Sequence, residues 1–250
     1  MTSGFAIVLP ARYESSRFPG KPLAVIAGKP LIQWVYERAR GIRGAGRVIV
    51  ATDHEGIAAA VREFDGEVVV TTGDHRTGTD RVAEVARSLD ADIVVNLQGD
   101  EPVFPTGLVE EMVAAIQNDP AIDIVTACHA IHEEDEFNNP NIVKVVVDGE
   151  RRALYFSRSS VPHRFHPAPS QTHGGKPQGL GYRHVGIYVF RRTSLIRFSA
   201  LPQAPLELSE NLEQLRALEN GMVIHVLKTT QPTVGVDVPD DVKNIEKALG

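Results

Sequence analysis

FAIVLPARYESSRFPGKPL, residues 5–23, sets the reading of this chain. Phe5–Leu9 is apolar without alternation, which suits a strand covered on both faces. Pro10 stops the run, and Arg12, Arg17 and Lys21 then crowd a Gly/Pro/Ser-bearing loop that no packed core requires. Such a loop can wrap a polyphosphate, because Gly20 permits close backbone approach and the cations neutralise phosphate charge. A solvated basic loop accounts for the same composition. The loop is not a Walker A motif: Lys29 is followed by Pro30, and no Gly lies five residues before Gly28. GxGxxG is absent as well.

Outward from this stretch, short apolar runs recur at Arg47–Ala51, Glu67–Val70, Asp92–Asn96 and Ile124–Cys128, separated by segments with helical spacing of apolar residues. The alternation predicts an α/β fold, a mostly parallel mixed sheet with helices on both faces and ligands at the carboxyl ends of the strands. After about residue 140 the pattern changes. Ile142–Val147 and Ala153–Phe156 read as a hairpin turning at Asp148-Gly149, and Gly186–Phe190 as a further buried strand. His163 to Gly181 is aperiodic and rich in Pro, Gly and His, a surface excursion. Leu208–Glu219 reads as one helix burying Leu208, Leu212, Leu215 and Leu218, with Glu210, Glu213 and Gln214 on a solvated flank. Pro239–Leu249 reads as a short amphipathic helix.

Composition narrows the function. The chain has 250 residues, 42% of them hydrophobic, enough for one domain with an insertion. A net charge of −6 argues against a nucleic-acid binder, so an anionic ligand must meet a local basic patch. Cys128, the only cysteine, allows neither an intramolecular disulfide nor a cysteine zinc cluster, which fits a reducing, cytoplasmic compartment. No signal peptide and no membrane-spanning segment is expected.

Five further segments carry chemistry. NLQGDEP, residues 96–102, ends a strand on Asp100, which is placed to hold Mg²⁺, a hard cation that takes carboxylate and phosphate oxygens. The alternative makes Asp100 the cap of a helix after Pro102. VGVDVPDD, residues 234–241, repeats the pattern, so Asp237 either converges with Asp100 on one metal or caps a helix ahead of Pro239. TGDHRTGTDR, residues 72–81, leads into a helix around Arg81–Ser88; its amides and hydroxyls suit a base edge and Arg76 a phosphate, although a Thr-capped loop explains it equally. FSRSSVP at 156–162 and RHVGIY at 183–188 each set a cation beside an apolar strand, so that Arg158 and His184 suit a carboxylate and Tyr188 a sugar, against purely structural roles. His163, His166 and His173 lack metal-ligand spacing.

Taken in order, PARYESSRFPGKPL, ATDHE (51–55), TGTDR, NLQGDEP, NPNIVKVV (139–146), ALYFSR, RHVGIY, LEQLR and GVDVPDD resemble the 3-deoxy-manno-octulosonate (Kdo) cytidylyltransferase family over nearly the whole chain. The resemblance implies a GT-A-like nucleotidyltransferase fold, usually a homodimer, that joins Kdo to CMP from CTP for lipopolysaccharide. It implies a single domain over 1–250, with roughly 1–130 the CTP-binding part and roughly 131–235 the sugar-binding and dimerisation part. It further implies that Arg12 and Lys21 contact the CTP phosphates and that Ala11 with Arg76, Thr77, Gly78 and Thr79 holds cytosine and ribose. Asp100 and Asp237 would bind Mg²⁺, and Gln98, Arg158, His184, Tyr188, Glu213 and Gln214 would form the Kdo pocket. Val238 stands where the family has Thr, with Asp237 retained. The rival readings are a cytidylyltransferase for 8-amino-Kdo or a sialic acid, and a non-catalytic nucleotide-sugar-binding module.

Overall fold

Alternate residues of the first strand feed different cores, and this organises the molecule. In the computed structural model, which describes residues 4–14, 18–72, 74–165, 172–173, 176–177, 179–231, 233–236, 239, 241–242 and 245, Ile7 and Leu9 pack with Leu31, Val35, Val109 and Met112 on one side of the sheet. Ala6 and Val8 pack with Val82, Val85, Phe198 and Leu215 on the other. A strand buried on both faces must be apolar at every position, as FAIVL is.

The sheet is built from β1 (Phe5–Pro10), β2 (Ala45–Thr52), β3 (Glu67–Val70), β4 (Ile93–Asn96), β5 (Ile124–Ile131), β6 (Lys144–Val147), β7 (Ala153–Ser157), β8 (Gly181–Arg191) and β9 (Ile224–Lys228). Its main path runs β9-β5-β8-β4-β1-β2-β3, and β6 pairs with both β8 and β7. β1 lies parallel to β2 and β4, and β2 to β3, while β8 runs antiparallel between β4 and β5. The mostly parallel mixed sheet expected from the alternation is present. Helices α1 (Leu31–Arg40), α2 (Glu55–Glu63) and α4 (Thr106–Asn118) cover the Ile7 face; α3 (Gly78–Ala86), α6 (Arg192–Ala200) and α8 (Gln214–Glu219) cover the Val8 face. Also present are α5 (Glu134–Asn138) and α7 (Pro205–Glu210).

The β6–β7 hairpin forms as expected. Its turn is organised by Asp148, whose Oδ1 accepts from the amides of Glu150 and Arg152, both at 2.8 Å, with Arg151 in the left-handed region. Val234 makes an isolated bridge with Val103. Asp237, and with it the predicted second metal ligand, lies outside the described residues, as do Arg17, His166 and most of the predicted C-terminal helix. Among the described residues, no helix is long and apolar enough to cross a membrane.

Two expectations are corrected. The helix predicted to start near Arg81 starts at Gly78, because Thr77 caps it: the Thr77 side chain accepts from the Asp80 amide while Asp80 accepts from the Thr77 amide. The single helix predicted over 208–219 is two short ones, α7 and α8, broken at Asn211 with φ 53°. Leu208 is 63% exposed, not buried, whereas Leu212 and Leu215 are. The break has a polar cause. Arg216 is buried and its guanidinium grips Glu207 with Nε at 2.9 Å and Nη2 at 2.5 Å, reaches Asp80 at 3.4 Å, and lies over the Phe198 ring. The predicted solvated flank is likewise occupied: Glu210 accepts from Ser157 and from the Arg158 amide, Glu213 pairs with Thr79, and Gln214 is buried.

Burial pushes the Glu207 carboxyl up, but the Arg216 hydrogen bonds and the Ala204 amide outweigh it and hold the group below its ordinary 4.5. Its contribution to stability is therefore complete above that value and lost as pH falls through the lower folded value. Arg216→Met should cost about 3–5 kcal/mol near neutral pH by leaving a buried carboxylate unpaired. The gap from the parent protein should narrow on acidification as Glu207 protonates, read as urea midpoints against pH.

Candidate active site

The ends of β1 and β4 lie side by side, and the segments leaving these two strands form the wall of a cleft. The turn after β4 comes so close to β1 that a Cβ on Gly99 would stand 2.9 Å from the Pro10 carbonyl oxygen, which makes glycine necessary there. The loop after β1 closes on itself through the Gly20 amide to the Tyr13 carbonyl at 2.8 Å, with Gly20 left-handed at φ 71°. Tyr13 in turn stacks on His54 from the end of β2, ring centroids 4.1 Å apart. This loop turns Lys21 inward, where it is only 9% exposed.

The cleft has a volume of about 580 Å³. Ala11, Arg12, Lys21, Arg76, Thr77, Gly78, Gln98, Asp100 and Glu213 all line it. Nine predicted site residues spread over more than two hundred positions thus meet in one place, at the carboxyl ends of parallel strands. Thr79 stands immediately behind the wall, accepting from Asn96 Nδ2 at 2.9 Å and donating to Glu213. Burial lowers the Arg12 guanidinium from its ordinary value, and Arg81 nearby adds to the effect; Arg81 itself is held by Asp53 and Thr71. Asp100 does not cap α4, which begins at Thr106; its carboxylate pairs with the Lys21 ammonium.

A second group lies behind Glu213. Burial pushes the Tyr188 hydroxyl well above its ordinary value, and the charges of Glu213 and Glu101 add to this. His184 packs edge-on against Phe156 and beside Tyr188. It was expected as a cation, and here the structure corrects the sequence: burial pulls its pKa down to about 3, so the imidazole is neutral. Thr126 Oγ1 lies 3.0 Å from the Val185 carbonyl and 2.9 Å from that of Ile187, so its hydroxyl donates there and accepts from His184 Nε2 at 2.9 Å. That assigns the imidazole proton to Nε2 and leaves Nδ1 as an acceptor.

Arg158 and Gln214 do not line the cleft. The Arg158 guanidinium donates to the carbonyls of Glu210 at 2.8 Å, Pro140 at 3.1 Å and Asn211 at 3.4 Å, which ties it to the C-terminal end of α7. Gln214 is buried beside Glu213 at the start of α8. Conversely, Gln203, Glu207 and Asn211 line the cleft without having been singled out. Asn211 lies in the stretch 208–219 that reads as continuous helix, and Glu207 just before it; in the structure the helix breaks at Asn211.

Fold and cleft together define a nucleotidyltransferase of the α/β class. The cytidylyltransferase family profile matches residues 6–224, and the chain belongs to that family, in its 3-deoxy-manno-octulosonate cytidylyltransferase branch. Relatives of that name from Syntrophotalea carbinolica and Geobacter sulfurreducens are 48% and 46% identical, with 97% of this chain covered in both and 97% and 98% of theirs. The solved structure of CMP:2-keto-3-deoxy-manno-octonic acid synthetase complexed with CTP is 43% identical, covers 99% of this chain and 98% of its own, and superposes with a TM-score of 0.88. 4-Diphosphocytidyl-2C-methyl-D-erythritol synthase from Anaerococcus prevotii, 13% identical over 99% of this chain and 96% of its own, shares the fold with a TM-score of 0.60.

Burial pushes the Glu213 carboxyl above its ordinary range, opposed by hydrogen bonds from Thr79 and Thr77. Removing the Thr79 hydroxyl withdraws a donor to the charged form. Thr79→Val should therefore raise the Glu213 pKa further, measured by ¹³C NMR titration of labelled glutamate.

Proposed function

We propose that the chain joins Kdo to CMP, releasing pyrophosphate from CTP. The observation that carries this is the convergence of Arg12, Lys21 and Arg76 with Asp100 and Glu213 in one cleft, in a chain of this family. Two anions must be held together there, and their repulsion needs fixed positive charge close by. Arg12 and Lys21 neutralise the triphosphate, while Thr77, Gly78 and the α3 N-terminus hold the nucleotide, their amides directed at negative or acceptor groups. The anomeric hydroxyl of Kdo attacks the α-phosphorus, and pyrophosphate leaves toward the basic loop.

The sugar side is Gln98, His184, Tyr188, Glu213 and Gln214. Glu213 and the neutral His184 accept from sugar hydroxyls, and Arg158 meets the Kdo carboxylate with the N–H groups its three carbonyl partners leave over. Asp100 fits Mg²⁺: its carboxylate and the Val236 carbonyl already face one cation, the Lys21 ammonium, and both are hard oxygen donors. Mg²⁺, held by Asp100 and Asp237, would supply charge neutralisation at the reacting phosphate. We further infer a homodimer, supported by Leu154, 59% exposed on β7, a strand that pairs on one side with β6. The reaction is placed in the cytoplasm, where CTP is available, and supplies lipopolysaccharide synthesis.

Pyrophosphate release should require CTP, Kdo and Mg²⁺ together, with little release for ATP, GTP or UTP and for 8-amino-Kdo or sialic acid. No release with any pair would support a binding module instead. Asp100→Asn should lower kcat/KM by about 100-fold or more while circular dichroism is unchanged. Arg158→Ala should raise KM for Kdo by about tenfold and leave that for CTP nearly unchanged. Equal effects on both substrates would remove Arg158 from the carboxylate.

A further inference from the structure

Lys21 sits where two hard oxygen donors converge. Its ammonium pairs with Asp100 Oδ2 and donates to the Val236 carbonyl oxygen at 2.8 Å. A carboxylate and a main-chain carbonyl directed at one cation are donors that a divalent ion uses, so the ammonium takes the position such an ion needs at Asp100. Two cations close to one carboxylate repel each other, so the ammonium weakens the hold of a divalent ion there. The backbone of Lys21 cannot relieve the conflict, because the residue is fixed between left-handed Gly20 and Pro22 in the buried 3₁₀ turn of residues 21–23. The flexible four-carbon side chain can.

We propose that Lys21 is an exchangeable cation at the Asp100 site: nucleotide phosphate draws the ammonium off the carboxylate, and a divalent ion then binds there tightly. Metal and nucleotide therefore load as a linked pair. The linkage is reciprocal, so each raises the affinity for the other. The exchange also keeps Asp100 charge-paired at every stage. This inference rests on the reading of Asp100 as a metal ligand, and the test separates the two.

Mn²⁺ alone is the probe, titrated into the full chain without nucleotide and followed by the electron paramagnetic resonance of free Mn²⁺. Lys21→Gln should bind Mn²⁺ about tenfold more tightly than the parent protein. Arg12→Gln removes a cation from the same cleft that does not touch Asp100 and should change the affinity far less. Equal tightening in both would mean a general field effect and overturn the exchange. Asp100→Asn should lose Mn²⁺ binding. If it binds like the parent, the reading of Asp100 itself fails; if it loses binding while Lys21→Gln binds no tighter than the parent, only the exchange fails. In a second arm, metal-free CTP in the presence of chelator should shift the Lys21 ε-methylene NMR signal, assigned by its loss in Lys21→Gln. An unmoved signal with CTP bound would overturn the displacement by phosphate.

Discussion

Arg216 is 2% exposed, and a guanidinium so buried must find oxygen on every side. It does so by joining two segments that have no reason in sequence to meet. Glu207, from α7, takes two of its donors, and Asp80, from the capping box of α3, takes a third. Glu207 lines one wall of the cleft, and Thr77 and Gly78, set by the same capping box, line the other. Buried Arg216 thus ties together two segments that both line the cleft. Thr79 to Glu213 is a second tie across the same seam.

Charge arrangement is built on that frame. The chain is acidic overall, so its capacity for anions is local, created by turning Arg12, Lys21 and Arg76 into one cavity. Burial lowers the Arg12 guanidinium and the neighbouring Arg81 adds to this, while interleaved carboxylates oppose it. Asp53 compensates Arg81 and Asp100 compensates Lys21. At Glu213 and behind it burial sets the chemistry: His184 is neutral, and Tyr188 and Glu213 lie above their ordinary values.

The fold itself is shared with a synthase only 13% identical, and a fold by itself does not specify a substrate. Differences must lie in what is hung on the strand ends. Within this sheet β8, reversed between β4 and β5, carries His184 and Tyr188. The β6–β7 hairpin extends the same side, and Lys144 anchors it by donating to the carbonyls of Asn139, Ile142 and Arg158. A lysine fully buried against three carbonyls fixes where Arg158 stands.

The sequence by itself determined the alternating strands and helices, because burial on both faces writes unbroken apolar runs such as FAIVL and IVVN into the chain. It also made Arg12, Lys21 and Asp100 legible as cleft residues, since the loop after β1 and the turn after β4 are local motifs whose Gly and charged positions stand in order. The tertiary structure alone decided the break at Asn211, the burial of Glu207, Gln214 and Arg216, and the neutrality of His184. Each of these depends on partners far away along the chain: a helical pattern of leucines looks the same whether its polar flank meets water or a buried arginine. Local periodicity records which residues leave water, and only the packed molecule records which polar groups go with them.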